Sequence, residues 1–444
     1  MSNPFYYSII KIVLGNEYIM KIQIRKYSVN YILLLVFFLH SISTPISYAQ
    51  FRVDKEWEVL IGGPRRDEAW SVMETSDQGF IITGVTWSFS DSDSDIILVK
   101  TDSKGNTEWI KSYGGSLDDH GNHVIQTSDN GYLICGAVTN PGTGDDAFIL
   151  KTNSTGVPQW NLTYSTPGFD EAAQSINCND YYLVIGTTRS LTQDNSDVLL
   201  LNVTLSGKIS SIKQFGGKRK EFVSSISPLR GGGYVISGDI LTADDGVNGL
   251  LIVLNSEGEL ELMKDFGGKK NEVFTACYET GSGDFVAFGF ESVVYNSIIM
   301  KMSSEGELLW NKTYGGEYST WSYDGTVTDS GCYILVGYSG NKESNGFHLF
   351  QTDKDGELLW DFFSGAGTAT SVDLVSDGGI IIAGTTLSGG MGAKDIRLVK
   401  IDAGFAISKT EYTWLIVFGV FGFILSYLIY TMHSFAESTR IQVQ

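Results

Sequence analysis

From Glu68 onward the chain alternates short apolar runs with clusters of Gly, Asn and Asp. EAWSVMET leads into SDQG, FIITGVTW into the acidic stretch SFSDSDS, DIILVKTD into SKGN, and TEWIKSYGG ends the cycle before a similar one begins. Apolar or alternating runs of this length, rich in Val, Ile, Thr, Phe and Tyr and bounded by turn formers, predict β-strands. Each cycle therefore holds four strands, a to d.

The cycle recurs. A glycine ends the apolar core of the second strand in FIITG, YLICG, YLVIG, YVISG, FVAFG, YILVG and IIIAG, at Gly84, Gly136, Gly186, Gly238, Gly289, Gly337 and Gly384, so the period is close to fifty and the count is seven. A second series, Gly105, Gly156, Gly207, Gly258, Gly306 and Gly356, marks the turn before the fourth strand, which carries Trp109, Trp160, Trp310 or Trp360 in four of the six cases. Four-stranded units cannot bury their faces alone and must stack on neighbours, which predicts a ring of blades, a β-propeller. One strand is out of place. EWEVLIGG, Glu56 to Gly63, has the look of a fourth strand with no repeat before it, while the last repeat ends at its third strand, DIRLVKID. Pairing the two completes the last blade, closes the ring and hides a strand edge. Trp57 is thus expected beside Asp395 to Lys400.

The order of a double glycine, Asp-Glu-Ala, Asp-Gly-Gly before Tyr or Phe, a strand ending in Gly, Asp before an apolar strand, and then Gly and Trp resembles the seven-bladed β-propeller repeat (SBBP) of bacterial and archaeal exported and surface proteins. The resemblance covers residues 56 to 402 and implies fold far more than activity. Kelch repeats place their double glycine after the second strand, whereas Gly62-Gly63, Gly114-Gly115, Gly216-Gly217, Gly267-Gly268 and Gly315-Gly316 follow the fourth. Two units depart from the pattern, with Pro167-Gly168 and Gly365-Ala366.

Both ends break the repeat. YILLLVFFL, Tyr31 to Leu39, follows Lys21, Arg25 and Lys26 and precedes small residues at Ser47 and Ala49, the layout of a secretory signal peptide over residues 1–49, with Met20 as an alternative start. Tyr412 to Met432 runs 21 residues without a charge, enough for a helix rising about 1.5 Å per residue to cross a bilayer, with Tyr and Trp near the interfaces. The expected organisation is all-β: a signal peptide (1–49), one seven-bladed propeller outside the cell (50–404), a linker (405–411), a transmembrane helix (412–432) and a short cytoplasmic tail (433–444). Composition agrees, with 51 Gly against 7 Pro.

The formal net charge is −20, and residues 50–411 carry −23 once the +3 of residues 1–49 and the zero of 412–444 are removed. That disfavours nucleic acid and anionic lipid surfaces as partners of the exported part.

Candidate chemistry follows from what is periodic and what is not. Asp95, Asp146, Asp197, Asn248, Asn296, Gly346 and Asp395 hold one place in successive repeats, and the carboxylates and amides among them read as turn-fixing acceptors. The fourth-strand tryptophans read as fillers between blades. The b–c and d–a connections are long, vary from blade to blade and share one face, where binding is expected. That face would carry Trp87, Phe89, Asp91, Asp93, Asp118, Asp119, His120, Asp145, Asp194, Asp244, Asp245 and Trp321. Acidic loops with a few aromatics suit cationic, sugar or calcium-bridged partners, and they also keep an exported protein dispersed. DSDSD, Asp91 to Asp95, lacks the Gly and distal Glu of an EF-hand, so no metal site and no cofactor is expected, calcium being the one ion left open.

Cys135, Cys178, Cys277 and Cys332 fall in four different repeats without any CxxC and are expected as unbridged, small apolar residues. Sequons at Asn153, Asn161, Asn202 and Asn311 lie on or beside the outer strands and are glycosylation candidates. No nucleophile–base set is legible. The leading expectation is a membrane-anchored extracellular binding or adhesion module for a protein or glycan. The alternatives are an extracellular polysaccharide hydrolase or lyase and an accessory subunit of a membrane complex.

Overall fold

The computed structural model describes residues 7–14, 18–25, 53–90, 93–189, 195–243, 246–268, 270–293, 295–315, 319–340, 345–387, 390, 392 and 394–402. Every regular element among them is a strand. The chain divides into two units, Met1–Arg52 and Val53–Gln444. In the first, Tyr7–Leu14 pairs antiparallel with Tyr18–Arg25, placing Met20 opposite Ile12. The apolar segments expected at Tyr31 to Leu39 and Tyr412 to Met432 lie outside the described residues, as do the linker and tail.

The second unit contains seven four-stranded antiparallel sheets, each in simple a-b-c-d order. The first blade is Asp67–Glu74, Phe80–Thr86, Asp95–Thr101 and Thr107–Tyr113. The seventh is Gly367–Leu374, Ile380–Thr386, Ile396–Asp402 and, as its outermost strand, Asp54–Ile61. The early strand therefore closes the ring as its sequence predicts, with Trp57 opposite Lys400 and Val59 opposite Leu398. Two ion pairs reinforce the joint, Arg397 to Glu58 at 2.7 Å and Lys400 to Glu56 at 3.2 Å. The a strands neighbour one another in turn and form the inner wall.

Stability comes from the joints between blades. Seven apolar clusters each draw on two adjacent blades; one combines Phe80, Ile82 and Ile97 of the first with Ile381, Ala383 and Leu398 of the seventh. Fully burying each such side chain is worth about 1.5–3 kcal/mol. The fourth-strand tryptophans do fill these joints. Trp57 packs on Phe80, Trp109 on Tyr132 and Trp310 on Tyr333, with ring centroids 5.7, 5.9 and 6.5 Å apart. Each also presses on the turn glycine of the next blade: a Cβ at Gly105 would sit 2.8 Å from the Trp57 ring, and φ there is +79°. Two separate series in the sequence are thus one contact in space.

The other glycine series has a different cause. Gly84 and its six counterparts lie inside strand b, which continues beyond them. Opposite each, strand a carries a β-bulge, as between Ala69 and Ser71 or Gly121 and His123. The bulge pushes a backbone carbonyl inward, so a Cβ at Gly84 would run into the Glu68 oxygen and one at Gly289 into that of Val273. Bulged residues lie unpaired and strongly twisted. They are Trp70, Asn122, Ala173, Ser224, Thr275, Tyr323 and Thr370.

Of the acids expected to fix turns, Asp395 accepts Gly392 N at 3.3 Å and Asp146 accepts Asn140 Nδ2 at 2.7 Å, while a second series at the start of strand a supplies the main backbone braces. Gly114 is wedged between the Asp95 and Asp119 carboxylates, and Gly267 between Asn248 and Glu272. The N–H groups of Gly63 and Gly268 donate to Asp67 and Glu272 at 2.8 and 2.9 Å. At the opposite end, Asp77, Asp129 and Asp377 of the a–b turns bind Lys100, Lys151 and Lys400 at 2.9, 2.9 and 2.6 Å.

Candidate functional site

The b–c and d–a connections meet at one end of the ring. Trp87 N donates to Arg66 O at 2.9 Å, Asp119 N to Ser94 O at 2.8 Å and Thr139 N to Asp118 O at 3.2 Å, so each long loop is tied to its neighbour. Here Trp87 is half-buried beneath the Arg66 guanidinium, 4.7 Å from its ring centre. Arg66 in turn pairs with Glu68, which Lys394 also reaches at 3.1 Å. Phe89 is 39% exposed and Asp93 is exposed. Asp118 is exposed and accepts the Ser94 hydroxyl at 2.6 Å. Asp145 accepts that of Thr139 at 2.5 Å.

Asp119, next to Asp118 in sequence, is only 1% exposed. Its carboxylate accepts Gly115 N at 2.5 Å and Thr139 N at 3.0 Å, while burial pushes its pKa up. It is one of the braces. Trp321 is half-buried between Tyr295 and Tyr338, with ring centroids 5.1 and 5.6 Å away. Asp91, Asp194, Asp244 and Asp245 lie outside the described residues.

His120 joins a group that sequence order conceals. Its Nε2 lies 3.2 Å from Glu171 Oε1 of the next blade, and Asn122 Nδ2 donates to the same oxygen at 2.6 Å. The Trp70 ring of the preceding blade lies 5.1 Å from the imidazole. Burial pushes the Glu171 carboxyl up, but His120 and Asn122 outweigh it, and the group titrates below the ordinary range. Three blades thus contribute to one polar cluster on the inner wall.

The a strands surround a cavity of about 310 Å3 on the ring axis, lined by the bulged residues and by those just after them. Two carboxyl groups stand in its wall, and each of their oxygens accepts a backbone N–H. Asp324 accepts Gly325 N at 2.8 Å and Val372 N at 2.9 Å; Asp373 accepts Leu374 N at 2.9 Å and Glu74 N at 3.0 Å. Burial raises their pKa values to about 7 and about 6. His123 is held neutral, burial lowering its pKa to about 4, and its Nδ1 has no partner among the described residues. These residues escaped the sequence reading because their chemistry differs in every blade; the register of the bulge, opposite the periodic glycine, is the one signal that would have found them.

The four cysteines are free thiols, three of them buried. Among the described residues no three His, Cys, Asp or Glu are grouped to hold a metal ion. Asn161 and Asn311 lie exposed on outermost strands, and Asn153 and Asn202 are half-buried.

The ring resembles the WD40 β-propeller domain of Doa1, at 13% identity and a TM-score of 0.50, over 81% of this chain and 99% of that one. The Dos1 propeller is similar to the same degree, at 12% identity and a TM-score of 0.50, over 81% and 97%. The fold is a β-propeller. No protein-family model matches the chain, and no curated protein matches it in sequence. At these identities the likeness establishes architecture alone, and function must be argued from the site.

Proposed function

We propose that this chain is an exported binding module, held at a membrane by the apolar segment Tyr412 to Met432, whose long-loop face engages a protein or glycan outside the cell. One observation carries the reading: the two ends of the ring differ in kind. The a–b turns share one Asp–Lys brace in four of the seven blades, Asp77–Lys100, Asp129–Lys151, Asp284–Lys301 and Asp377–Lys400. The long-loop end gives each blade its own surface, from the Arg66–Trp87 stack to the Tyr295–Trp321–Tyr338 aromatics. Variation on a rigid scaffold is where recognition resides. The signal-like leader and the repeat's resemblance to surface proteins of the SBBP type support export.

The test is an array of envelope polysaccharides and surface proteins probed with the purified chain and with Trp87→Ala, Trp321→Ala and, from the opposite end, Lys104→Ala. Binding that falls about tenfold in the first two variants and holds in the third supports the face. Equal behaviour of all three would remove it. A second reading, a hydrolase or lyase of extracellular polysaccharide, draws on the Glu171–His120 pair. Turnover of a glycan on the same array that vanishes in Glu171→Gln would replace the first reading with the second.

A further inference from the structure

The axial cavity has a composition that the ring itself does not need. The inner wall is stitched by side chains that accept a backbone N–H from the next blade: Ser71 from Val124 at 3.3 Å, Gln174 from Ile226 at 2.6 Å, Ser225 from Cys277 at 3.2 Å, Asp324 from Val372 at 2.9 Å and Ser371 from Val72 at 3.2 Å. All of these occupy the position immediately after the bulge. The bulged residue takes a smaller part in the stitching: Asn122 Nδ2 donates to Ala172 O at 3.1 Å and Thr370 Oγ1 to Ala69 O at 2.6 Å in the next blade, whereas Trp70, Ser224 and Tyr323 make no inter-blade hydrogen bond among the described residues. The bulged position lines the cavity, and around the ring it holds Trp70, Asn122, Ser224, Thr275, Tyr323 and Thr370, with only Ala173 lacking a polar or aromatic side chain.

We infer that this cavity binds one neutral, hydroxyl-rich small molecule, a mono- or disaccharide, between Trp70 and Tyr323; the inference deepens the binding-module reading and rests on it.

Three features of the wall select that class. The volume, about 310 Å3, stands at the lower end of the roughly 300–1,000 Å3 of small-molecule sites, so the occupant is compact. Trp70 and Tyr323 line the cavity two blades apart with Thr370 between them, their rings backed by His120 and Phe290 at 5.1 and 6.1 Å, so a sugar ring seated there would meet an aromatic residue on either side and hydroxyls and amides at its rim. The Asn122 carbonyl oxygen, the Ser224 hydroxyl, the Tyr323 hydroxyl and the Trp70 N–H make no hydrogen bond among the described residues, which leaves donors and acceptors of both kinds.

No Lys or Arg lines the cavity, and its two carboxyls are muted. Each oxygen of Asp324 and of Asp373 already accepts a backbone N–H, and burial biases both groups toward the neutral acid, which weakens them as partners for an ammonium group. His123 is held neutral by burial and supplies no positive charge. Glu171 is committed to His120 and Asn122. An anion would find no Lys or Arg in the wall and a cation only two carboxyls that burial biases toward the neutral acid, whereas a polyol would find partners.

The experiment is calorimetric titration of the full chain in detergent with neutral mono- and disaccharides, with a uronate and choline as charged probes. A neutral sugar should saturate a single site. Trp70→Ala should weaken it about tenfold or more. Ser224→Tyr, which fills the space while leaving every inter-blade bond in place, should abolish it, with the parent's unfolding temperature retained as the check on folding. The inference is overturned if no neutral sugar binds, if a sugar still binds to Ser224→Tyr, or if choline or the uronate binds more tightly than every neutral sugar. Failure here is separable from failure of the face: loss of macromolecular binding in Trp87→Ala alongside a silent cavity sinks the sugar site and keeps the binding module.

Discussion

Trp57 stands opposite Lys400 in an antiparallel pair that joins the ring's earliest strand to its latest, and its indole rests on Phe80 of the first blade. One side chain thus ties the seventh blade to the first. Trp57→Ala is expected to lower stability by about 2–3 kcal/mol, less than a fully buried Trp because the ring is only half covered. Denaturant unfolding measures the loss, and amide exchange should quicken along Ile396–Asp402, far from the substitution in sequence. Unchanged exchange there would mean that this strand does not hold the closure.

The bulge opposite Gly84 leaves no room for a methyl group, since the obstacle is a backbone carbonyl that cannot swing aside. Gly84→Ala should cost about 3 kcal/mol or fail to fold. Gly217, which has nothing within 4 Å of an added Cβ, is the control and should change little as Gly217→Ala. Equal midpoints for the two variants would refute the steric argument.

Asp324 and Asp373 give stability a defined pH dependence. Their folded pKa values, about 7 and about 6, lie above the ordinary 3.8, because burial disfavours the charged form. The neutral acid binds the fold better, so their contribution is full below pH ~4 and is lost as pH rises through 6 to 7. Asp324→Asn keeps an acceptor for Val372 N and cannot ionise. It should be more stable than the parent at pH 8 by on the order of 2 kcal/mol, the cavity's access to water tempering the full shift, and should lose that advantage at pH 4. Melting curves across this range decide; a constant difference would show that Asp324 does not titrate there.

The four sequons should divide by geometry. Asn161 and Asn311 are exposed on outer strands, whereas Asn202 is half-buried with its Oδ1 fully covered and the Asn153 Oδ1 is taken up by Thr155 N and Val157 N at 3.0 and 2.9 Å. Secretion from a glycosylating host followed by glycopeptide mass spectrometry should find sugar at Asn161 and Asn311 and not at Asn202. Occupancy at Asn202 would contradict the packing of that strand.

Periodicity made the architecture readable. Seven glycines, the fourth-strand tryptophans and a misplaced EWEVL each mark something every joint needs, so they repeat and can be counted. The cavity offers no such handle, because Trp70, Asn122, Ala173 and Ser224 share a place but no chemistry. Asp118 and Asp119 show the same limit on a smaller scale: adjacent and identical in type, one faces solvent and the other holds two backbone N–H groups. Which is which depends on where strand a begins, a matter of register. His120 and Glu171 lie 51 residues apart, one blade period, and meet only because neighbouring blades stack in step.

Closing the ring with its earliest strand also sets a schedule. Asp54–Ile61 leaves the ribosome first among the ring's strands, yet its partner, Ile396–Asp402, is made last. At about 5–20 residues per second the wait is roughly 20–70 s. Six blades can assemble in that interval. Throughout it the ring stands open at one joint, and whatever escorts the chain during synthesis must keep that single unpaired strand from finding another partner.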